Sequence, residues 1–162
     1  MAVFTEVGRD EAADLMQRLG LGRLVDMAGC AGGIENTNYF VSTERDGQRH
    51  EWVLTLFERL TAQQLPFYLY LMKHLAGKGI PVPDPQADAS GAILHTVRGK
   101  PAAVVNRLRG HHELAPGPEH CAQLGAMLAR MHLAGRDYDR EQPNLRGLAW
   151  WNETVPVILP HL

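Results

Sequence analysis

Gly32 and Gly33, followed closely by Asn36, Thr37 and Asn38, stand directly before a run of alternating apolar residues. Glycine lacks the Cβ that would hold a backbone away from a ligand, and amide and hydroxyl side chains can turn hydrogen-bond donors toward an anion. Such a loop can lie over phosphates. Its position along the chain sharpens that reading, because P-loop and dinucleotide fingerprints place their glycines between a strand and a helix. Here the glycines open onto a strand. An ordinary glycine turn before a hairpin would present the same residues.

Other chemistry finds less support. Gly20-Leu21-Gly22 lacks the third glycine of a dinucleotide fingerprint, and Gly99-Lys100 lacks the upstream glycine and the Ser or Thr of a P-loop. His111 and His112 are neighbours on a polar stretch with no third ligand at a recognisable spacing, so a metal site is not expected. Cys30 and Cys121 lie far apart and outside any Cys-x-x-Cys spacing, which argues against a disulfide framework and fits a reducing cytoplasm. A net charge of -2 with no basic block disfavours nucleic acid or an anionic membrane as partner. A small-molecule partner is expected. The N-terminus carries no basic segment followed by an apolar core, and no run is long enough to span a membrane.

The elements that must position the loop follow from periodicity. Ala12, Leu15, Met16 and Leu19 mark a helix over 10–19 with Asp10 as N-cap and Gly20 beyond its end. A strand over 24–28 feeds the loop, and 38–43 pairs with 51–57 across an Asp46-Gly47 turn. Alternation puts Trp52, Leu54 and Leu56 on one face and Val53, Thr55 and Phe57 on the other, so both faces of the sheet need cover. Leu65, Tyr68, Leu69, Met72 and Leu75 form a helical stripe opened by a Thr61/Gln64 capping box, with Pro66 confining the regular helix to begin near Gln64. The prolines at 81, 83 and 85 keep the next segment extended. A second hairpin turns at Arg98-Gly99, and Cys121, Leu124, Leu128 and Met131 mark a helix that starts at Pro118 and ends at Gly135. From 137 to 146 the chain reads as irregular. The last segment, with Trp150, Trp151, Pro156 and Pro160, gives no clear period and has little in this chain to bury against.

Several blocks, in order, resemble a known family. They are Gly-Ile-Glu-Asn-Thr-Asn-Tyr-Phe-Val (33–41), Trp-Val-Leu-Thr-Leu-Phe-Glu (52–58) and Leu-Pro-Phe-Tyr-Leu-Tyr-Leu-Met-Lys-His-Leu-Ala (65–76). Gly-Ile-Pro-Val-Pro (79–83), Gly-Lys-Pro-Ala-Ala (99–103), His-Cys-Ala-Gln-Leu-Gly-Ala-Met-Leu-Ala-Arg-Met-His-Leu-Ala (120–134) and Pro-Asn-Leu-Arg-Gly-Leu-Ala-Trp-Trp (143–151) complete the set. Together they resemble the bacterial homoserine kinases of the aminoglycoside-phosphotransferase superfamily. The resemblance implies an α+β, protein-kinase-like N-lobe over 1–106, an antiparallel sheet with a covering helix. A hinge over 107–117 and the first helices of a helical C-lobe over 118–162 would follow. It also implies ATP-dependent phosphorylation of the L-homoserine hydroxyl, on the route to threonine in the cytoplasm, with most of the catalysis coming from positioning and charge neutralisation.

By the same resemblance, Gly32, Gly33, Asn36, Thr37 and Asn38 would cover the ATP phosphates and Val53 would meet the adenine, with Thr55 on the same face. The backbone of Asn106, Arg107 and Leu108 would reach the adenine edge. Plain core packing for Val53 and a simple linker for the hinge remain open. Thr55 stands where related kinases carry a lysine, which leaves Lys73, Arg59 and Lys100 as candidate cations for the phosphates, each also readable as a solvated surface charge. The superfamily's His-x-Asp-x-x-x-x-Asn catalytic motif is absent, since none of the 8 histidines is followed two residues on by aspartate. His132 is expected to pack, and Asp137 and Asp139 to be solvated. The chain is therefore expected to be the N-terminal portion of a longer enzyme, inactive alone, with its Mg2+ ligands elsewhere and its oligomeric state unread. Two rivals remain: a kinase of the superfamily acting on another amino alcohol or an aminoglycoside, and a non-catalytic nucleotide-binding or partner-binding module.

Overall fold

The computed structural model describes residues 3–161. Helix α1 (Arg9–Arg18) precedes strand β1 (Arg23–Gly29), and β2 (Asn36–Arg45) and β3 (Gln48–Phe57) follow. Helix α2 (Leu65–Gly77), the short β4 (His95–Val97), β5 (Lys100–Asn106), α3 (Pro118–Ala134) and α4 (Leu148–Ile158) complete the order, with a single 3-10 turn, Leu159–His161, at the end. The strands form one sheet in the order β1-β2-β3-β5-β4, and every pairing is antiparallel. The expected α+β architecture is present.

Both predicted hairpin turns form for the same reason. Asp46 and Gly47 lie at φ 54° and 72°, and Arg98 and Gly99 at 53° and 73°, so each two-residue loop takes the left-handed pair whose twist matches the flanking strands. The strands run longer than their apolar cores suggest, because ladder bonds continue into the polar ends: Arg45 still pairs with Gln48, and Asn36 with Phe57.

One face of the sheet is sealed by α1. Ala12, Leu15 and Met16 pack with Tyr39, Val41, Leu54, Leu56, Ala102 and Val104, all essentially inaccessible to solvent. Each fully buried Leu or Met contributes about 1.5–3 kcal/mol, which makes this layer the main store of stability. The helix begins two residues earlier than Asp10 as N-cap would have it: Gly8 is the cap, and its N–H donates to Glu11 Oε2 at 2.8 Å. Asp10 sits instead in the first turn, where its charge complements the helix dipole. Gly20, at φ 66°, follows the helix end as expected.

Helix α2 covers part of the opposite face. Leu65 and Leu69 pack with Ala103, Ile93, Phe57 and Leu60. The Thr61/Gln64 box forms reciprocally at 3.0 and 3.3 Å, Gln64 caps the helix, and Pro66 falls in its first turn, where its missing N–H costs no helical bond. The proline strap after α2 runs extended beside β5, with an isolated bridge from Pro85 to Val105. Beyond β5, α3 starts at Pro118 as predicted, yet none of its residues is buried. Leu124 is 61% exposed, and His132, expected to pack, is exposed too. The segment left without a period folds as α4, with Pro156 inside it and no buried residue.

Candidate functional site

Ladder register defines the face that α1 leaves free. Because side chains alternate, the partners of the α1-facing residues point the other way. Ala28, Phe40, Val53 and Val105 are aligned across β1, β2, β3 and β5, and the next row is Asn38, Thr55 and Ala103. Helix α2 covers this face at Ala103 and Phe57, while Phe40 remains 36% exposed and Val53 and Val105 are half-buried. A shallow apolar shelf results. The glycine loop, residues 30–35, lies at one end, with Gly33 at φ 124°, a conformation that side chains other than glycine's rarely adopt.

Asn38 and Thr55 are locked together on the shelf, Thr55 Oγ1 donating to Asn38 Oδ1 at 2.7 Å. Thr37 is not among them. Its hydroxyl is fully buried on the α1 side, accepts from the backbone N–H of Phe4 and Thr5 at 2.9 and 3.0 Å, and donates to Glu58 Oε1 at 2.7 Å. A ligand over the loop could meet only the backbone of Thr37.

At the other end of the shelf the chain leaves β5. Asn106 Oδ1 accepts from the N–H of Asp84 at 2.6 Å, tying the proline strap to the strand. The N–H of Arg107 donates to Glu51 O at 3.0 Å, and its guanidinium lies 4.1 Å from the Phe40 ring centroid, over the exposed edge of the shelf. Leu108 is 45% exposed. Cys30 faces the same region, and burial pushes its thiol above the usual range against the opposing effect of Arg107.

A second cleft of about 250 Å³ opens below the glycine loop, lined by Glu35, Asn36, Arg59, Tyr68, Asn144 and Arg146 among others. Arg146 forms an ion pair with Glu35, whose carboxyl is held below its usual range by that hydrogen bond and charge, and less by Arg59. Of the other candidate cations, Lys100 pairs with Glu58, and Lys73 Nζ lies 2.9 Å from Asp84 Oδ1 while donating to Pro85 O at 3.1 Å. Asp137, expected to be merely solvated, pairs with Lys78 and receives His74 Nε2 at 3.1 Å.

Sequence reasoning missed Phe40, Val105, Glu35 and Arg146. Carrying the β3 alternation across the hairpin register would have placed Phe40 beside Val53; the pairing of positions 35 and 146 has no local signal. Among the described residues no group of three His, Cys, Asp or Glu side chains is placed to hold a metal ion.

A sheet roofed by α1, with α2 on its other face and a glycine loop beside an open apolar shelf, is the architecture of a kinase-like N-lobe. The chain belongs to the phosphotransferase enzyme family, which it matches over residues 26–161. It is 70% identical over 162 residues to the homoserine kinase of Polaromonas naphthalenivorans, covering 100% of this chain and 50% of that protein. The homoserine kinase of Cupriavidus necator is 56% identical over 162 residues, covering 100% and 49%. The chain thus spans about half the length of the curated relatives it matches. Two solved structures share the fold. The spectinomycin phosphotransferase APH(9)-Ia, in complex with ADP and spectinomycin, matches with TM-score 0.67 and 13% identity, covering 97% of this chain and 48% of that one. The amicoumacin kinase hAmiN, in complex with AMP-PNP, Ca2+ and Ami, matches with TM-score 0.57 and 19% identity, covering 72% and 36%.

Proposed function

We propose that this chain forms the nucleotide-binding roof of a homoserine kinase, with the N-lobe over 1–106, a hinge over 107–117 and the first part of a C-lobe over 118–162. The observation that carries the reading is the open row of Phe40, Val53 and Val105, an apolar shelf with the glycine loop at one end and the exit of β5 at the other. An adenine fits such a shelf because its flat apolar faces gain by leaving water while its edge nitrogens need backbone partners. Val53, Phe40 and Val105 hold the ring, and backbone near Asn106 to Leu108 meets its edge. Gly32 and Gly33 let the loop approach the phosphates, and Asn36 and Asn38 flank the same edge of the sheet. Thr55 fixes the Asn38 amide through the bond described above.

ATP supplies the phosphoryl group for the L-homoserine hydroxyl, and the Mg2+ it brings is held by residues outside those described. Identity of 70% across the whole chain to a protein named homoserine kinase supports this acceptor over choline or an aminoglycoside. The test joins residues 1–162 to the second half of the Polaromonas naphthalenivorans enzyme. The fusion should release ADP in response to L-homoserine, and the chain alone should not, because no His-x-Asp-x-x-x-x-Asn motif is present in it. Turnover with choline or an aminoglycoside but not with L-homoserine would overturn the acceptor.

A further inference from the structure

The cleft below the glycine loop holds two guanidinium groups in different states. Arg146 is ion-paired with Glu35 on the loop itself, and its guanidinium carbon lies 5.8 Å from the Trp150 ring centroid. Arg59 is exposed and, among the described residues, makes neither an ion pair nor a hydrogen bond, although it lines the same cleft. The stretch of β3 beside the loop adds no charge on this face, since Thr55 and Phe57 are neutral. Lys73 and Lys100 are engaged by carboxylates elsewhere. Two arginines within one cleft are a match for phosphoryl oxygens, which accept paired hydrogen bonds from a planar guanidinium.

We propose that Arg59 and Arg146 bind the phosphates of the nucleotide in this cleft, and that Glu35 holds Arg146 in place as an internal anion until the nucleotide displaces it. The proposal rests on the nucleotide-roof reading above and adds to it the identity of the cations. Glu35 is 40% exposed and Arg146 60%, so their pair is reached by solvent and can be exchanged without unfolding the loop. Asn36 and Tyr68 supply further polar groups to the cleft wall. The carboxylate therefore competes with phosphate for one arginine, while the other arginine stands ready.

The experiment titrates the 162-residue chain with ATP, ADP and adenosine, following binding by calorimetry. Wild-type chain should bind ATP more tightly than adenosine. Arg59→Ala and Arg146→Ala should each weaken ATP by about tenfold and leave adenosine unchanged, since each removes a charge-assisted contact to phosphate only. Arg59→Lys should restore part of the loss. Glu35→Gln should act in the opposite sense and tighten ATP, an effect that a merely structural Glu35 would not give. ATP binding no tighter than adenosine, or Glu35→Gln weakening ATP, would overturn the clamp while leaving the roof intact. An Arg59→Ala chain that binds ATP as wild type does would assign the arginine elsewhere, for example to a substrate carboxylate, and would equally overturn it. Failure of adenosine and ATP alike to bind would remove the roof reading as well.

Discussion

Glu58 joins three separate segments of the protein. Its carboxylate, only 11% exposed, accepts from Thr37 Oγ1 at 2.7 Å and Thr5 Oγ1 at 2.8 Å and pairs with Lys100. Through Thr37, whose oxygen accepts the N–H of Phe4 and Thr5, it ties the segment before α1 to the sheet. Burial raises its carboxyl pKa, but the bonds from Lys100, Thr37 and Thr5 outweigh that and hold it below the usual range. A carboxyl depressed by folding stabilises at pH above its unfolded value, and that stability is lost as pH falls through the folded value. Glu58→Gln should cost about 1–3 kcal/mol near neutrality. In urea unfolding the gap between wild type and variant should narrow as the pH falls below about 4.3. A gap that stays constant down the acid limb would show that ionisation of Glu58 contributes nothing.

The elements differ sharply in what supports them. Leu15 on α1 is buried against the sheet, whereas Leu124 on α3 is 61% exposed, although both lie on stripes of similar spacing. Leu15→Ala should therefore destabilise the chain by about 2–5 kcal/mol, and Leu124→Ala by no more than about 0.5 kcal/mol, by the shift in urea midpoint. The two hairpin turns offer a matching test. Gly47 at φ 72° replaced by Val should cost about 1–2 kcal/mol, because a branched side chain is strained in the left-handed region. The turns, the capping box and the Pro118 start were legible because each is decided by a few adjacent residues. The α1 cap is not legible because Gly8 offers no side chain to recognise, and α4 is not legible because its polar residues, Asn152, Glu153 and Thr154, fall together in the middle of an apolar run that Pro156 interrupts.

At the scale of the molecule, α2 joins the sheet region to the chain after α3. His74 and Lys78 meet Asp137, and Tyr138 OH donates to Phe67 O at 2.6 Å. These contacts bridge positions some 60 residues apart, as in the separation of 63 between His74 and Asp137, and no local pattern announces them. The same holds for the loop carboxylate and Arg146. Val53, Thr55 and Asn38 share a face, whereas Thr37 does not, and the resemblance groups it with them only by treating Asn36, Thr37 and Asn38 as one unit. Alternation along β2 had already set Thr37 on the other side.

The central claim, that a nucleotide lies on the shelf opposite α1, is tested most directly by amide NMR of the isotope-labelled chain titrated with ATP. Shifts should concentrate at Gly32, Gly33, Phe40, Val53, Thr55, Val105 and Leu108, and Val53→Asp should weaken binding by at least about tenfold by placing a charge against the ring. Shifts centred on α1 and the Glu11 to Arg98 surface, with Val53→Asp binding as wild type does, would contradict it.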